Sequence, residues 1–194
     1  GETYDISILP AEEGLTKLKA AMSFLFERSS FSAEQIRRLQ RAAPVVVHYL
    51  PSFPQADGEA GGLTIAAFLP DAFAPTEKER GEFVVIVGRF GIKWPGDELA
   101  KVIVHELVGH GIQRLEGRGS QMRELDRECE ARLYEEKFAQ EAQFDKLKDN
   151  LIQDRQALER HYCLDFKTFM RSRDASADAL WDVQNPNVPR LLAL

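Results

Sequence analysis

The chain is poor in the features that classify a protein at a glance. It has two cysteines in 194 residues, Cys129 and Cys163. A disulfide framework shows more of them at set spacings, and both fall in helical patterns, so reduced thiols and a reducing compartment are expected. No apolar run approaches the ~20 residues of a membrane span. The N-terminus has neither the basic region nor the apolar core of a signal peptide. A cytoplasmic location is therefore the expectation, with export as an effector left open. A larger parent protein is left open too, since Gly1 is not a natural start. One-sided charge is also missing: 25 Lys and Arg stand against 31 Asp and Glu, a net charge of -6. Without a broad basic field, neither nucleic acid nor membrane is expected as a partner. Repeats and low-complexity stretches are absent. Histidine is scarce, with four in the whole chain, so where they fall is informative.

What is present is the composition of a globular domain, 44% hydrophobic and 29% charged, with length enough for one core and a helical extension. Residues 11–28 carry Leu15, Leu18, Met22, Leu25 and Phe26 at helical spacing. Ser32, with Gln35 three residues on, reads as the capping box of a second helix that Pro44 ends. Three strand candidates follow: residues 45–50 (VVVHYL), 63–69 (LTIAAFL) and 83–90 (FVVIVGRF). A helix over 97–115 then buries Ala100, Ile103, Val104, Leu107 and Val108, and Gly117 and Gly119 break it. Ser120 reads as the N-cap of a further helix that could reach residue 162, and a short helix with Phe166, Phe169 and Trp181 closes the chain. The order implies an α+β fold in one domain, residues 11–119 holding helices, sheet and motif helix, and 120–194 forming a long helical part.

Two of the four histidines share one helix, in the string HELVGHGIQRLEG from His105 to Gly117. The string DRECEAR places Glu128 and Glu130 in the next helix. Catalytic zinc uses three N or O ligands and keeps one position open. His105, His110 and a carboxylate from the following helix meet that need, with Zn2+ the expected cofactor. Glu106, adjacent to the first histidine, is placed to act as general base on the water that zinc activates. The histidines stand five residues apart, about 140° around a regular helix, so one ion can hold both only if the helix widens, as in a π-bulge. Gly109 and Gly111 make such a distortion easier. The pair Glu106 and His110, four apart on one face, is the alternative, and it would leave no base. Glu128 is the preferred third ligand. Glu124 shares its face one turn earlier, and Glu130 points elsewhere. Arg132 is placed to orient Glu128. Glu116, Asp126 and Glu130 are candidates to support the histidines, and Tyr134, His161 and Tyr162 to stabilise an oxyanion. His48 lies in a strand pattern and is incidental.

At these residues the chain resembles the zincin metallopeptidases, of the gluzincin kind. HELVGH is similar to the motif of dipeptidyl peptidase III, with the same five-residue spacing, and Glu128-Cys129-Glu130-Ala131 is similar to the Glu-Cys-x-Ala string of its third ligand. HGIQRLEG and the ExEAR string ending at Arg132 resemble the zincin-like domains of phage and mobile-element polyvalent proteins, whose histidines are four apart. The resemblance covers roughly residues 100–135. It implies His105, His110 and Glu128 as ligands, Glu106 as base, and a zincin-like fold whose small, mostly antiparallel sheet packs on the motif helix. It also implies that an edge strand, 63–69 or 83–90, takes the substrate backbone. A zinc-dependent peptidase or amide hydrolase acting on a peptide or protein is the leading expectation. A non-catalytic metal-binding or interaction module (a degenerate zincin), a metal-free helical scaffold, and a secreted or mobile-element toxin peptidase are the alternatives. Oligomeric state and cleavage specificity are not legible.

Overall fold

The apolar spacing of residues 11–28 resolves as helix α1, Ala11–Arg28, in a computed structural model that describes residues 7–53, 65–69 and 81–143. Glu12 and Glu13 in its first turn and Arg28 in its last oppose the ends of the helix dipole. The buried stripe is Gly14, Leu18, Ala21 and Leu25, whereas Leu15, expected inside, is 50% exposed. The stripe is rotated because Gly14 lies against the Tyr49 ring, where a Cβ would overlap it. The Tyr49 hydroxyl donates to the Leu9 carbonyl at 2.8 Å.

Helix α2, Ser30–Ala42, begins three residues earlier than its sequence suggested. Ser29, not Ser32, is the N-cap, and its Oγ accepts the Ser32 N–H at 3.1 Å. The displacement has a tertiary cause. Ser29 Oγ donates to the Glu141 carboxylate at 2.5 Å, and the other oxygen of Glu141 accepts from Ser30 Oγ and Phe31 N. A carboxylate 110 residues away in sequence thus completes the cap.

Strands β1 (Val45–Leu50), β2 (Ala66–Leu69) and β3 (Phe83–Gly88) form one sheet in the order β1-β3-β2. The sheet is mixed, not mostly antiparallel. β1 runs parallel to β3, with Val45 opposite Phe83, and β2 runs antiparallel to it, with Ala66 opposite Val87. β3 is the central strand, which is why its apolar run is nearly continuous and buried. Its expected end at Phe90 falls in a turn that leads to a short 3-10 helix, Gly91–Lys93.

The motif helix spans 96–115 as three consecutive segments: α3 (Gly96–Ile103), a π-helical segment (Val104–His110) and α4 (Gly111–Leu115). All five apolar positions expected inside, Ala100, Ile103, Val104, Leu107 and Val108, are buried. Gly117, at φ +69, ends the helix. Its N–H reaches Arg114 O at 3.1 Å and the Arg118 N–H reaches Gln113 O at 2.9 Å, the paired bonds of a Schellman stop. Helix α5, Glu124–Glu141, follows, so Ser120 lies in the preceding turn and caps nothing. α5 packs chiefly on the π segment, and Leu133 and Phe138 join Leu25, Ile36, Leu39, Leu99 and Ile103 in the core. Burying such side chains contributes about 1.5–3 kcal/mol each, before chain entropy is subtracted.

No described helix is long and apolar enough to cross a membrane. Cys129 is disulfide-bonded, against the expectation of reduced thiols. It is fully buried, where an apolar environment suits a disulfide as well as a thiol. The expected helical part after residue 143, with Cys163, His161, Tyr162 and Trp181, lies outside the described residues.

Candidate metal centre

The π segment brings the two histidines to one side of the motif helix. With i→i+5 bonding, residues five apart come much closer to a common face than in an α-helix. The His105 and His110 rings lie 5.1 Å apart between centroids, inclined at 78°. Gly109, between them in sequence, answers to a second demand besides backbone freedom. A Cβ there would stand 2.7 Å from the Ala131 Cβ and 2.8 Å from its Cα, so α5 approaches the motif helix closely only because both residues are small.

That approach delivers Glu128 between the rings. Its Oε2 is 3.1 Å from His105 Nε2, and its Oε1 is 3.2 Å from His110 Nε2. His105, His110 and Glu128 each offer a ligand atom, all within 4.8 Å of one another, and so form a group that could hold a metal ion. Two ligands at 2.0–2.1 Å from a tetrahedral ion stand about 3.3 Å apart, close to the 3.1 and 3.2 Å between each imidazole and its nearer Glu128 oxygen. The five-residue pair assembles, then, rather than the alternative of Glu106 and His110 alone. Glu106 lies beside the group, its Oε2 4.0 Å from His110 Nε2 and accepting the Phe68 N–H of β2 at 3.0 Å.

The supports of the histidines are residues the sequence did not single out. Glu135 Oε2 lies 3.6 Å from His105 Nδ1, just beyond hydrogen-bond reach, and that buried nitrogen has no hydrogen-bond partner. Arg132 donates to the same carboxylate at 3.0 Å, so it holds Glu135 rather than Glu128. His110 Nδ1 meets Gln113 Oε1 at 3.1 Å, and the Gln113 amide donates to the Arg127 carbonyl at 3.0 Å. Helix spacing carried a signal for both. Glu135 is two turns beyond Glu128 on one face, and Gln113 is one turn beyond His110.

The three acids nominated as supports lie elsewhere. Glu130 takes both its oxygens to Arg118, Glu116 pairs with Arg118 and Arg38, and Asp126 pairs with Arg123. Glu124 is exposed in the first turn of α5 and is not in the group. Tyr134 is buried against Phe31, with ring centroids 5.9 Å apart, and lines neither cavity at the site. His48 is exposed on β1.

The electrostatics follow from this crowding. Burial disfavours a charged His105, but the Glu128 hydrogen bond and the Glu135 carboxylate outweigh it, and its pKa is raised to about 9. Hydrogen bonds from His105 and His110 hold Glu128 well below the usual carboxylate range. Burial works to raise Glu135, yet His105, with Arg132 and Lys101, holds it below that range. Glu106 goes the other way. Burial pushes it up, and the two histidines and the Phe68 N–H pull it back only in part. A buried carboxylate with a raised pKa therefore adjoins two whose pKa values are lowered by their partners.

Two cavities flank the group, about 610 Å³ on the His110 side and about 400 Å³ on the His105 side. β2, an edge strand among the described residues, lines both. β3, the other edge candidate, is central. Compared with protein-family models, with curated proteins and with solved structures, the chain gives no match.

Proposed function

We propose that this chain is a zinc-dependent peptidase or related amide hydrolase, with His105, His110 and Glu128 holding the metal and Glu106 as general base. The observation that carries the reading is the convergence of two imidazoles and a carboxylate around one point, with the raised Glu106 carboxylate beside them in a cleft. Two nitrogens and one oxygen are the donor set of hydrolytic zinc, and the short ligand-atom separations suit a tetrahedral ion. When bound, zinc supplies Lewis acidity, polarising a carbonyl and making water nucleophilic near neutral pH.

The chain's own residues do the rest. Glu106 accepts the proton of the attacking water at its carboxylate and passes it to the leaving amine. Its raised pKa suits both halves of that transfer. The Phe68 N–H fixes the Glu106 carboxylate and ties the β2 backbone to the site, so a substrate laid along the edge strand is held beside the base. Gln113 holds the His110 ring through its 3.1 Å contact, and the Glu135 carboxylate faces the second nitrogen of His105 at 3.6 Å.

The test is metal analysis with Glu106→Gln. We expect about one zinc per chain in both proteins, and hydrolysis about 10²–10⁴-fold slower in the variant. Equal hydrolysis by the two would overturn the mechanism. One observation favours a second reading, a non-catalytic metal-binding module. Glu106 Oε2 is close enough to His110 Nε2, at 4.0 Å, for a small shift to make it a fourth ligand. That reading predicts zinc loss in Glu106→Gln and no turnover in either protein.

A further inference from the structure

Resting on the peptidase reading, we propose that the main-chain amide of Phe68 is a latch on Glu106, deciding whether that carboxylate serves as a base or closes the metal's open position. Glu106 stands at the border of the two roles. It lines both cavities beside the group, yet it is not a member of the group. Its Oε2 is 4.0 Å from His110 Nε2. A dication attracts an anionic side chain over so short a gap, and zinc in closed sites takes a fourth protein ligand. Left to that attraction, Glu106 would take the position the attacking water needs.

One contact opposes the switch. The same Oε2 accepts the Phe68 N–H at 3.0 Å. Moving it to the metal would strip that part-buried amide of its acceptor, which costs free energy. The amide itself is fixed, because β2 is paired to β3 with Phe68 opposite Val85. The pairing also shows that this amide is spare. Ile65 O accepts the Gly88 N–H at 3.0 Å, so residues 65, 67 and 69 turn their backbone groups toward β3. Residues 66 and 68 turn theirs to the opposite edge. The Phe68 N–H therefore serves Glu106 and not the ladder. A proline at position 68 would remove the latch without removing a sheet bond, and edge strands accept proline.

The experiment reads access to the open position as azide binding to the cobalt(II)-loaded protein, followed by visible absorption, in Phe68→Pro and Phe68→Ala. Both lose the ring, which packs partly buried on the core, but only Phe68→Pro loses the N–H. We expect azide to bind about tenfold more weakly to Phe68→Pro than to Phe68→Ala. With Glu106→Gln added, no carboxylate is left to swing in, and the two should bind azide alike. Equal affinity while Glu106 is present overturns the inference, as does a gap that persists with Glu106→Gln. Should Phe68→Pro not fold, hydrogen exchange decides. The Phe68 amide of the zinc-loaded protein should exchange about tenfold or more slowly than in zinc-loaded Glu106→Ala, and equal rates overturn the latch. No uptake of either metal strikes the metal centre and the latch together. A latch demonstrated in a protein that cleaves no peptide stands, and strikes the peptidase reading instead.

Discussion

Glu128 and Glu130 stand two residues apart in α5 and meet opposite fates. Glu130 closes on Arg118 with bonds of 2.6 and 2.8 Å, and Glu116 and Arg38 extend the cluster. An arginine is always charged, so that cluster is a permanent clamp between the turn after the motif helix and α5. Glu128 instead meets two imidazoles, whose charge is conditional. The carboxylates Glu106, Glu128 and Glu135 crowd His105 and favour its charged form, and a divalent cation at the same point would compete with that proton. The lesson is that one helix turn supplies both a structural lock and a carboxylate in a group that could hold an exchangeable ion, and the partner's chemistry decides which is which.

Breaking the lock should have the largest effect on stability. Arg118→Ala leaves the buried Glu130 carboxylate unpaired and should cost about 3–5 kcal/mol in urea denaturation. Glu128→Gln should cost the metal-free protein far less while abolishing zinc binding. If both variants lose similar stability with chelator present, the contrast between the two clusters is wrong.

Metal addition sharpens the same contrast. Zinc at a thousand times its Kd should stabilise the fold by about 4 kcal/mol, and Glu128→Gln should remove that gain, measured as a Tm shift. The pH dependence has a definite sign. His105 has a folded pKa of about 9, above its ordinary 6.5. Its contribution to the metal-free fold is therefore complete below pH 6.5 and lost as pH rises through about 9. Glu128 and Glu135 are lowered, so their contribution is present above the usual carboxylate range and lost on acidification. With chelator, Tm should peak between those limits. Zinc affinity should climb toward pH 9 as His105 gives up its proton, and flat titrations across that range would contradict the geometry.

Smaller effects probe how the site is held. Gly109→Ala presses on Ala131 and should destabilise by about 1–3 kcal/mol, with weakened zinc binding because α5 carries Glu128. Glu135→Gln and Gln113→Leu should each lower zinc affinity about 10–100-fold while leaving the ligand set intact, as read by competition with a chromophoric chelator. No change in either would mean the rings are oriented by packing alone.

Much of this architecture was written locally. The bounds of α1 and β1 and the buried face of the motif helix follow from periodicity and covalent geometry, which the chain carries wherever it goes, and the five-residue spacing set the condition that the helix widen if both histidines are to share an ion. The misses share a cause. Ser32 looked like a cap because Glu141, which helps fix the cap at Ser29, is distant in sequence. The mixed sheet was not legible because strand direction depends on pairing across long connections. Glu135 and Gln113 were passed over because only the packing of α5 on the π segment separates them from the many other acids and amides. The pairing of Glu130 with Arg118 likewise needed the Schellman turn to bring the arginine round.

By itself, then, the sequence determined which residues could ligate a metal and that two of them could share one ion only if their helix were distorted, since residue type and spacing are local properties. The tertiary structure decided which carboxylate completes the group, which becomes a lock, and which residues orient the rings. Those outcomes turn on ångström-scale approach between helices, here the contact of Gly109 with Ala131, and no local pattern encodes that distance.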